Sequence, residues 1–75
     1  MRTKQEADSL GGAIKTARKS KGFTQARLAD RLGISLRYLK SIENSGRKPS
    51  YDLLARTVQE LDISTDTVFH LTERS

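Results

Sequence analysis

From Thr24 to Glu43 the chain reads TQARLADRLGISLRYLKSIE, two short amphipathic runs on either side of a single glycine. This stretch constrains the fold more than any other. Thr24 can accept a hydrogen bond from a free backbone N–H and so start a helix. Ala26, Leu28, Ala29 and Leu32 supply its inward face, and Gly33 ends it. Ile34 plugs the turn and Ser35 caps the next helix. Leu39 and Ile42 point inward on that helix, with Leu36 and Tyr38 on its flanks. The spacing predicts a helix, a tight turn at Gly33-Ile34-Ser35, and a second helix.

The flanking sequence continues in the same style. A first helix is expected from about Ser9 to Lys21, because Leu10, Ala13, Ile14 and Ala17 recur at i, i+3, i+4 and i+7. Asp8 or Ser9 can cap it, Lys19 and Lys21 suit its negative end, and Gly22 suits a left-handed stop. Gly11-Gly12 costs helix propensity, about 1 kcal/mol each against Ala, but allows close packing. Asn44-Ser45-Gly46-Arg47-Lys48-Pro49 is the clearest loop. Ser50 caps a fourth helix with Asp52 at its positive end and a stripe of Tyr51, Leu54, Val58 and Leu61. Ile63 packs the following turn. Ser64 or Thr65 caps a short fifth helix ending near Leu71, with Val68 and Phe69 inward. No alternating strand pattern of any length appears, so the expected fold is all-α: five short helices around one core. Residues 1–8 are expected to form a flexible N-terminal segment, 9–71 the domain, and 72–75 a C-terminal tail.

Seventy-five residues make one domain. A chain this short buries only about 60% of the surface its unfolded form exposes, leaving little room for an enclosed catalytic pocket. There are no cysteines, which excludes a disulfide framework and cysteine-ligated metal. No apolar run approaches the roughly 20 residues of a membrane span, and the polar start MRTKQEADS lacks the apolar middle of a secretory signal. These features suggest a soluble cytoplasmic protein. The net charge is +5, and its placement is informative: residues 1–50 hold twelve Lys/Arg and four Asp/Glu, a balance of +8, whereas residues 51–75 carry −3. A basic half of this kind attracts a polyanion by Coulomb attraction and counterion release, although charge alone fits an ordinary solvated surface too.

Several motifs stand in order along the chain. Leu10-Gly11 and Ile14 come first, then Arg18, GFTQ at 22–25 and LADRLGIS at 28–35. Tyr38, Ile42-Glu43, Gly46, Pro49-Ser50, Leu54, Leu61 and Val68 follow. In these residues the chain resembles the Cro and phage-repressor type of helix-turn-helix domain, the xenobiotic-response-element family, from residue 10 to about 70. The resemblance implies a compact five-helix, lambda-repressor-like domain with the helix-turn-helix at helices two and three. It implies sequence-specific binding to a double-stranded DNA operator by a transcriptional regulator, most often a repressor, with helix three in the major groove. A homodimer on DNA and association with the nucleoid are expected with it. The helix-five surface around Val68, Phe69 and Leu71 is the expected dimer contact.

The resemblance also implies roles for single residues. Gln25 matches the family's glutamine at the first turn of helix two, which holds a DNA phosphate; a merely solvent-facing side chain is the alternative. Ser35, Leu36, Arg37, Lys40 and Ser41 fall on the outer face of helix three. Arg37 is the best base reader, since its planar fork can pair with O6 and N7 of guanine; its alternative is a nonspecific phosphate contact. Leu36, where the family is often polar, either touches a thymine methyl or covers the core edge. Ser41 is a base or water-mediated contact, or a spacer. Ser35, Tyr38, Lys40, Asn44, Arg47 and Lys48 are assigned to the DNA backbone, with Tyr38 open to ordinary half-buried packing and the loop open to simple solvation. Arg18 and Glu43 are implied to form a structural salt bridge that braces helix three. Two departures stand out: Arg27 occupies the position where a capping-box acid or glutamine is common, and Asp62 stands where glycine is frequent.

No catalytic constellation is present. His70, the one histidine, has no cysteine companions and reads as a surface or helix-end residue. Gly11-Gly12 is no phosphate loop, because no strand precedes it and no Lys-Ser/Thr pair follows at the required spacing. No enzyme activity, cofactor, metal, small-molecule ligand or membrane partner is expected. The competing function is a protein-interaction module of the same fold, such as an antitoxin or coactivator subunit. Arg37, Lys40, Arg47 and Lys48 discriminate, since a docking module has no need of that charge beside Gln25.

Overall fold

The computed structural model describes residues 9–64 and 66–68, and everything structural below concerns these residues. Four helices follow one another: α1 Leu10–Ser20, α2 Gln25–Leu32, α3 Leu36–Ser45 and α4 Tyr51–Leu61. Residues 66–68 are helical again, with the Val68 N–H donating to Ser64 O at 3.2 Å. The remainder of the expected fifth helix, the segment 1–8, the tail 72–75, and Phe69, His70 and Leu71 lie outside the described residues. No strand occurs among the described residues. The expected all-α, lambda-repressor-like arrangement is the one found.

Each helix starts on a hydroxyl. The side chains of Ser9, Thr24, Ser35 and Ser50 accept from the backbone N–H of Gly12, Arg27, Tyr38 and Leu53 at 2.9, 3.0, 3.1 and 3.2 Å. Each cap satisfies an N–H that the first turn leaves without a helical partner, typically about 1 kcal/mol of stability. Arg27 therefore costs α2 only the reciprocal half of a capping box, not the cap itself. α2 ends where Gly33 turns left-handed at φ 71°, and the next residue, Ile34, returns its N–H to Ala29 O at 3.0 Å. Only glycine adopts that backbone without a steric cost.

The core draws on every helix. Ile14 from α1, Leu28 and Leu32 from α2 and Leu39 from α3 are almost wholly buried, joined by Ala29, Ile42, Leu53 and Leu61. Burying one such aliphatic side chain contributes about 1.5–3 kcal/mol. α1 lies tightly on α3: a Cβ built on Gly11 would stand 2.3 Å from Ile42 O. Gly11 thus permits backbone-to-backbone approach at the crossing that orients α3.

Three expectations need correction. Asn44 and Ser45, expected in the loop, close α3 instead. Ala26 faces solvent, not the core. Tyr51 is 85% exposed, and α4 instead buries Leu53, Thr57 and Leu61, with Leu54 and Val58 half-buried. Apolar residues at 51, 53, 54, 58 and 61 fit two helical faces, and packing against α1 and α2 selects the one centred on Leu53. Thr57 is tolerated inside because its hydroxyl donates to Leu53 O at 2.8 Å. Asp62 adopts the left-handed conformation expected of a glycine, φ 58° and ψ 40°, and ends α4 in the usual way. Val68 is buried, in line with its inward reading.

Candidate nucleic-acid interface

α3 carries two unlike faces. Leu39, Ile42 and Glu43 are buried beneath it. Leu36, Arg37, Lys40, Ser41, Asn44 and Ser45 line an open concavity on its outer side. The i, i+3, i+4 spacing of a 3.6-residue helix gathers Arg37, Lys40, Ser41 and Asn44 into one surface row. Arg37, Lys40 and Asn44 are exposed and Ser41 is half-buried. Neither Arg37, Lys40 nor Lys48 is held in an ion pair among the described residues.

Ser35 and Ser41 are partly committed within the protein. The Ser35 hydroxyl caps α3 by accepting from the Tyr38 N–H. The Ser41 hydroxyl donates to Arg37 O at 3.1 Å, which leaves only its lone pairs for a partner.

The loop after α3 turns back over the helix. The Arg47 N–H donates to Ser41 O at 3.2 Å. Its guanidinium carbon stands 5.0 Å from the centroid of the Tyr38 ring, within cation–π range. The Tyr38 ring also packs against the core cluster. One aromatic side chain thus joins the core, the flank of α3 and the basic loop. Lys48 follows, exposed, before the half-buried Pro49.

Behind α3 lies a buried polar network. Arg18 Nε donates to Glu43 Oε2 at 2.9 Å and Nη2 to Oε1 at 3.1 Å, a two-pronged pair. The third prong, Nη1, donates to Phe23 O at 2.8 Å. Gln25 Nε2 donates to Glu43 Oε1 at 3.0 Å. Glu43 is therefore neutralised from α1 and held from α2, and no negative charge on α3 faces outward. No buried side-chain nitrogen or oxygen among the described residues lacks a partner. Gln25 is neither free nor simply solvent-facing: one amide N–H is spent on Glu43, and its second N–H and carbonyl oxygen remain.

Sequence reasoning missed the Gln25–Glu43 bond, the Arg47–Tyr38 stack and two links between α2 and α4. Arg31 Nε pairs with Glu60 Oε1 at 2.7 Å and lies 5.4 Å from the Phe23 centroid. Arg56 Nη2 donates to Leu32 O and so satisfies a carbonyl at the end of α2. These pairs are 18 to 29 residues apart, except the stack, and no local periodicity encodes them. No group of metal-binding side chains occurs among the described residues. No helix among them is long and apolar enough to cross a membrane.

Comparison with known proteins agrees with this geometry. The helix-turn-helix family model matches residues 14–68. The uncharacterized HTH-type transcriptional regulator YazB of Bacillus subtilis (strain 168) is 41% identical over 61 residues, covering 81% of this chain and 88% of that protein. The HTH-type transcriptional regulators SinR of Bacillus licheniformis and of Bacillus subtilis (strain 168) are 37% and 38% identical over 62 and 60 residues, covering 81% and 79% of this chain. The match spans only about half of each SinR protein, 56% and 54%. No solved structure matches the chain. A capped helix, a left-handed glycine turn and a second helix with an outward basic row, lying within a family match over most of the domain, lead to one conclusion: the chain belongs to the Cro- and phage-repressor-type helix-turn-helix family, a family of DNA-binding transcription regulators rather than enzymes.

Proposed function

We propose that this protein is a sequence-specific double-stranded DNA-binding regulator that represses transcription by occupying an operator in the cytoplasm, at the nucleoid. α3 enters the major groove. Arg37 reads a guanine through its two-pronged fork, with Leu36 and Ser41 beside it. Gln25, Ser35, Tyr38, Lys40, Asn44, Arg47 and Lys48 grip the flanking backbone. The observation that carries this reading is the composition of the outer row of α3 and its following loop. It offers cations and amides to the outside while the only carboxylate of α3, Glu43, is buried against Arg18. A phosphate ridge meets positive charge there and no competing anion.

One such domain covers few base pairs, so a twofold homodimer on half-sites one turn, about 34 Å, apart completes the proposal. Binding to random and selected duplexes, measured against salt, tests it. A steep loss of affinity with salt together with an enriched consensus supports the reading. No preference for any duplex over random DNA would transfer the fold to protein docking, the role of an antitoxin or coactivator subunit.

A further inference from the structure

Leu36, 38% exposed, is the most open large aliphatic side chain on the outer side of α3. It begins α3 directly after the Ser35 cap, and it lines the same concavity as Arg37, Lys40, Ser41 and Asn44. Its neighbours Ile34 and Tyr38 pack against the core cluster, whereas more than a third of Leu36 stays open to the concavity. Covering the core edge would account only for its buried part and leaves the exposed part without an apolar partner in the concavity. An isolated apolar group inside a cationic, hydrogen-bonding concavity needs a ligand that presents an apolar group among acceptors. The floor of the DNA major groove presents one such group, the C5 methyl of thymine.

We propose that Leu36 is a specificity-determining residue that reads a thymine C5 methyl next to the base pair contacted by Arg37. Ser41 sharpens this preference. With its hydroxyl proton committed to Arg37 O, it offers only an acceptor to the groove, which suits the amino group of adenine or cytosine and not the acceptor edge of guanine. The half-site thus combines a guanine for Arg37, a thymine for Leu36 and an amino-bearing base toward Ser41. The inference rests on the proposed DNA-binding function and adds to it the chemistry of one base contact.

Removal of a single methyl isolates that contact. A duplex selected by the full chain from random DNA is remade with deoxyuridine in place of each thymine of the half-site, one at a time. Deoxyuridine keeps the pairing and every polar edge of thymine and loses the methyl alone. One position is expected to weaken binding by about fourfold, the transfer value of one buried methyl group, and the same replacement is expected to change binding by Leu36→Ala by less than about twofold. Because Leu36 is exposed, Leu36→Ala should melt within a few degrees of the parent protein. The deoxyuridine series on the unaltered protein needs no variant to fold. If no thymine of the selected site depends on its methyl, or if the dependence persists undiminished in Leu36→Ala, the proposal is overturned while the DNA-binding reading stands. If no sequence is selected over random DNA, that parent reading fails and takes this one with it.

Discussion

Gln25 and Glu43 share a hydrogen bond of 3.0 Å, and the carboxylate oxygen that accepts it, Oε1, also receives Arg18 Nη2 at 3.1 Å. The first residue of α2 is thereby tied to α3 through a charge that α1 neutralises. Three helices meet at one carboxylate, and the orientation of α3 relative to the start of α2 depends on it. A buried ion pair is weak evidence of net stability, but removing one partner leaves an uncompensated charge inside.

Glu43→Ala should therefore cost about 3 kcal/mol or more, enough to lower the melting temperature by over 10 °C at about 4–8 °C per kcal/mol for a domain of this size. DNA affinity should fall with it. Thermal melting and duplex titration on the same preparation check this. Unchanged melting with a selective loss of binding would place Glu43 at the DNA and not behind it.

Tyr38 should act mainly through its ring, its hydroxyl adding one weak contact to the DNA backbone. Tyr38→Phe retains the surface on which Arg47 stacks and is expected to lose less than about threefold in DNA affinity. Tyr38→Ala removes the platform, worth about 0.5–1 kcal/mol at an exposed site, and also uncovers part of the core. A loss in Tyr38→Phe as large as in Tyr38→Ala would assign the work to the hydroxyl.

Lys48 is exposed and outside any ion pair among the described residues. Lys48→Gln should weaken binding to all duplexes by a similar factor and reduce the slope of log affinity against log salt by about one unit. Titrations at several salt concentrations on two unrelated sequences measure it. A change confined to one sequence would contradict a backbone contact.

The crossing of α1 and α3 should tolerate no side chain at position 11. Gly11→Ala sets a Cβ against the Ile42 carbonyl, which is backbone and cannot rotate away. Despite the better helix propensity of alanine, the expected cost is about 1–3 kcal/mol, read as a lower denaturation midpoint. An increase in stability would mean that the two helices part easily.

Asp62 offers the opposite case. It holds φ 58° at the end of α4, a conformation that strains a residue with a Cβ by about 1–2 kcal/mol, less for a short polar side chain such as Asp. Asp62→Gly should relieve part of that and stabilise the domain by up to about 1 kcal/mol, a rise of a few degrees in melting temperature. A fall in melting temperature would point to a compensating role for the carboxylate.

Much of the fold was legible along the chain. The four helix starts lie at hydroxyl residues, and the turn between α2 and α3 lies at Gly33, because caps and left-handed turns depend on atoms within three or four residues of each other. The outward placement of Arg37, Lys40 and Ser41 followed from helical period once Leu39 and Ile42 faced in, whereas Asn44, expected in the loop, joined that row only because the helix runs on to Ser45. The face of α4 did not follow, since its apolar residues satisfy two stripes at once. Exposed Tyr51 and buried Thr57 show how packing against neighbouring helices resolved that ambiguity. Nor could local pattern reveal that Gln25 bonds Glu43, that Arg56 closes the end of α2, or that Arg47 leans on Tyr38. Helix positions, caps, turn and charge distribution were determined by the sequence itself, because each arises from near neighbours under a fixed backbone geometry. The choice among equally apolar faces and the partners of the polar side chains were decided by the tertiary structure, because they depend on which surfaces meet when segments far apart in the chain compete to leave water.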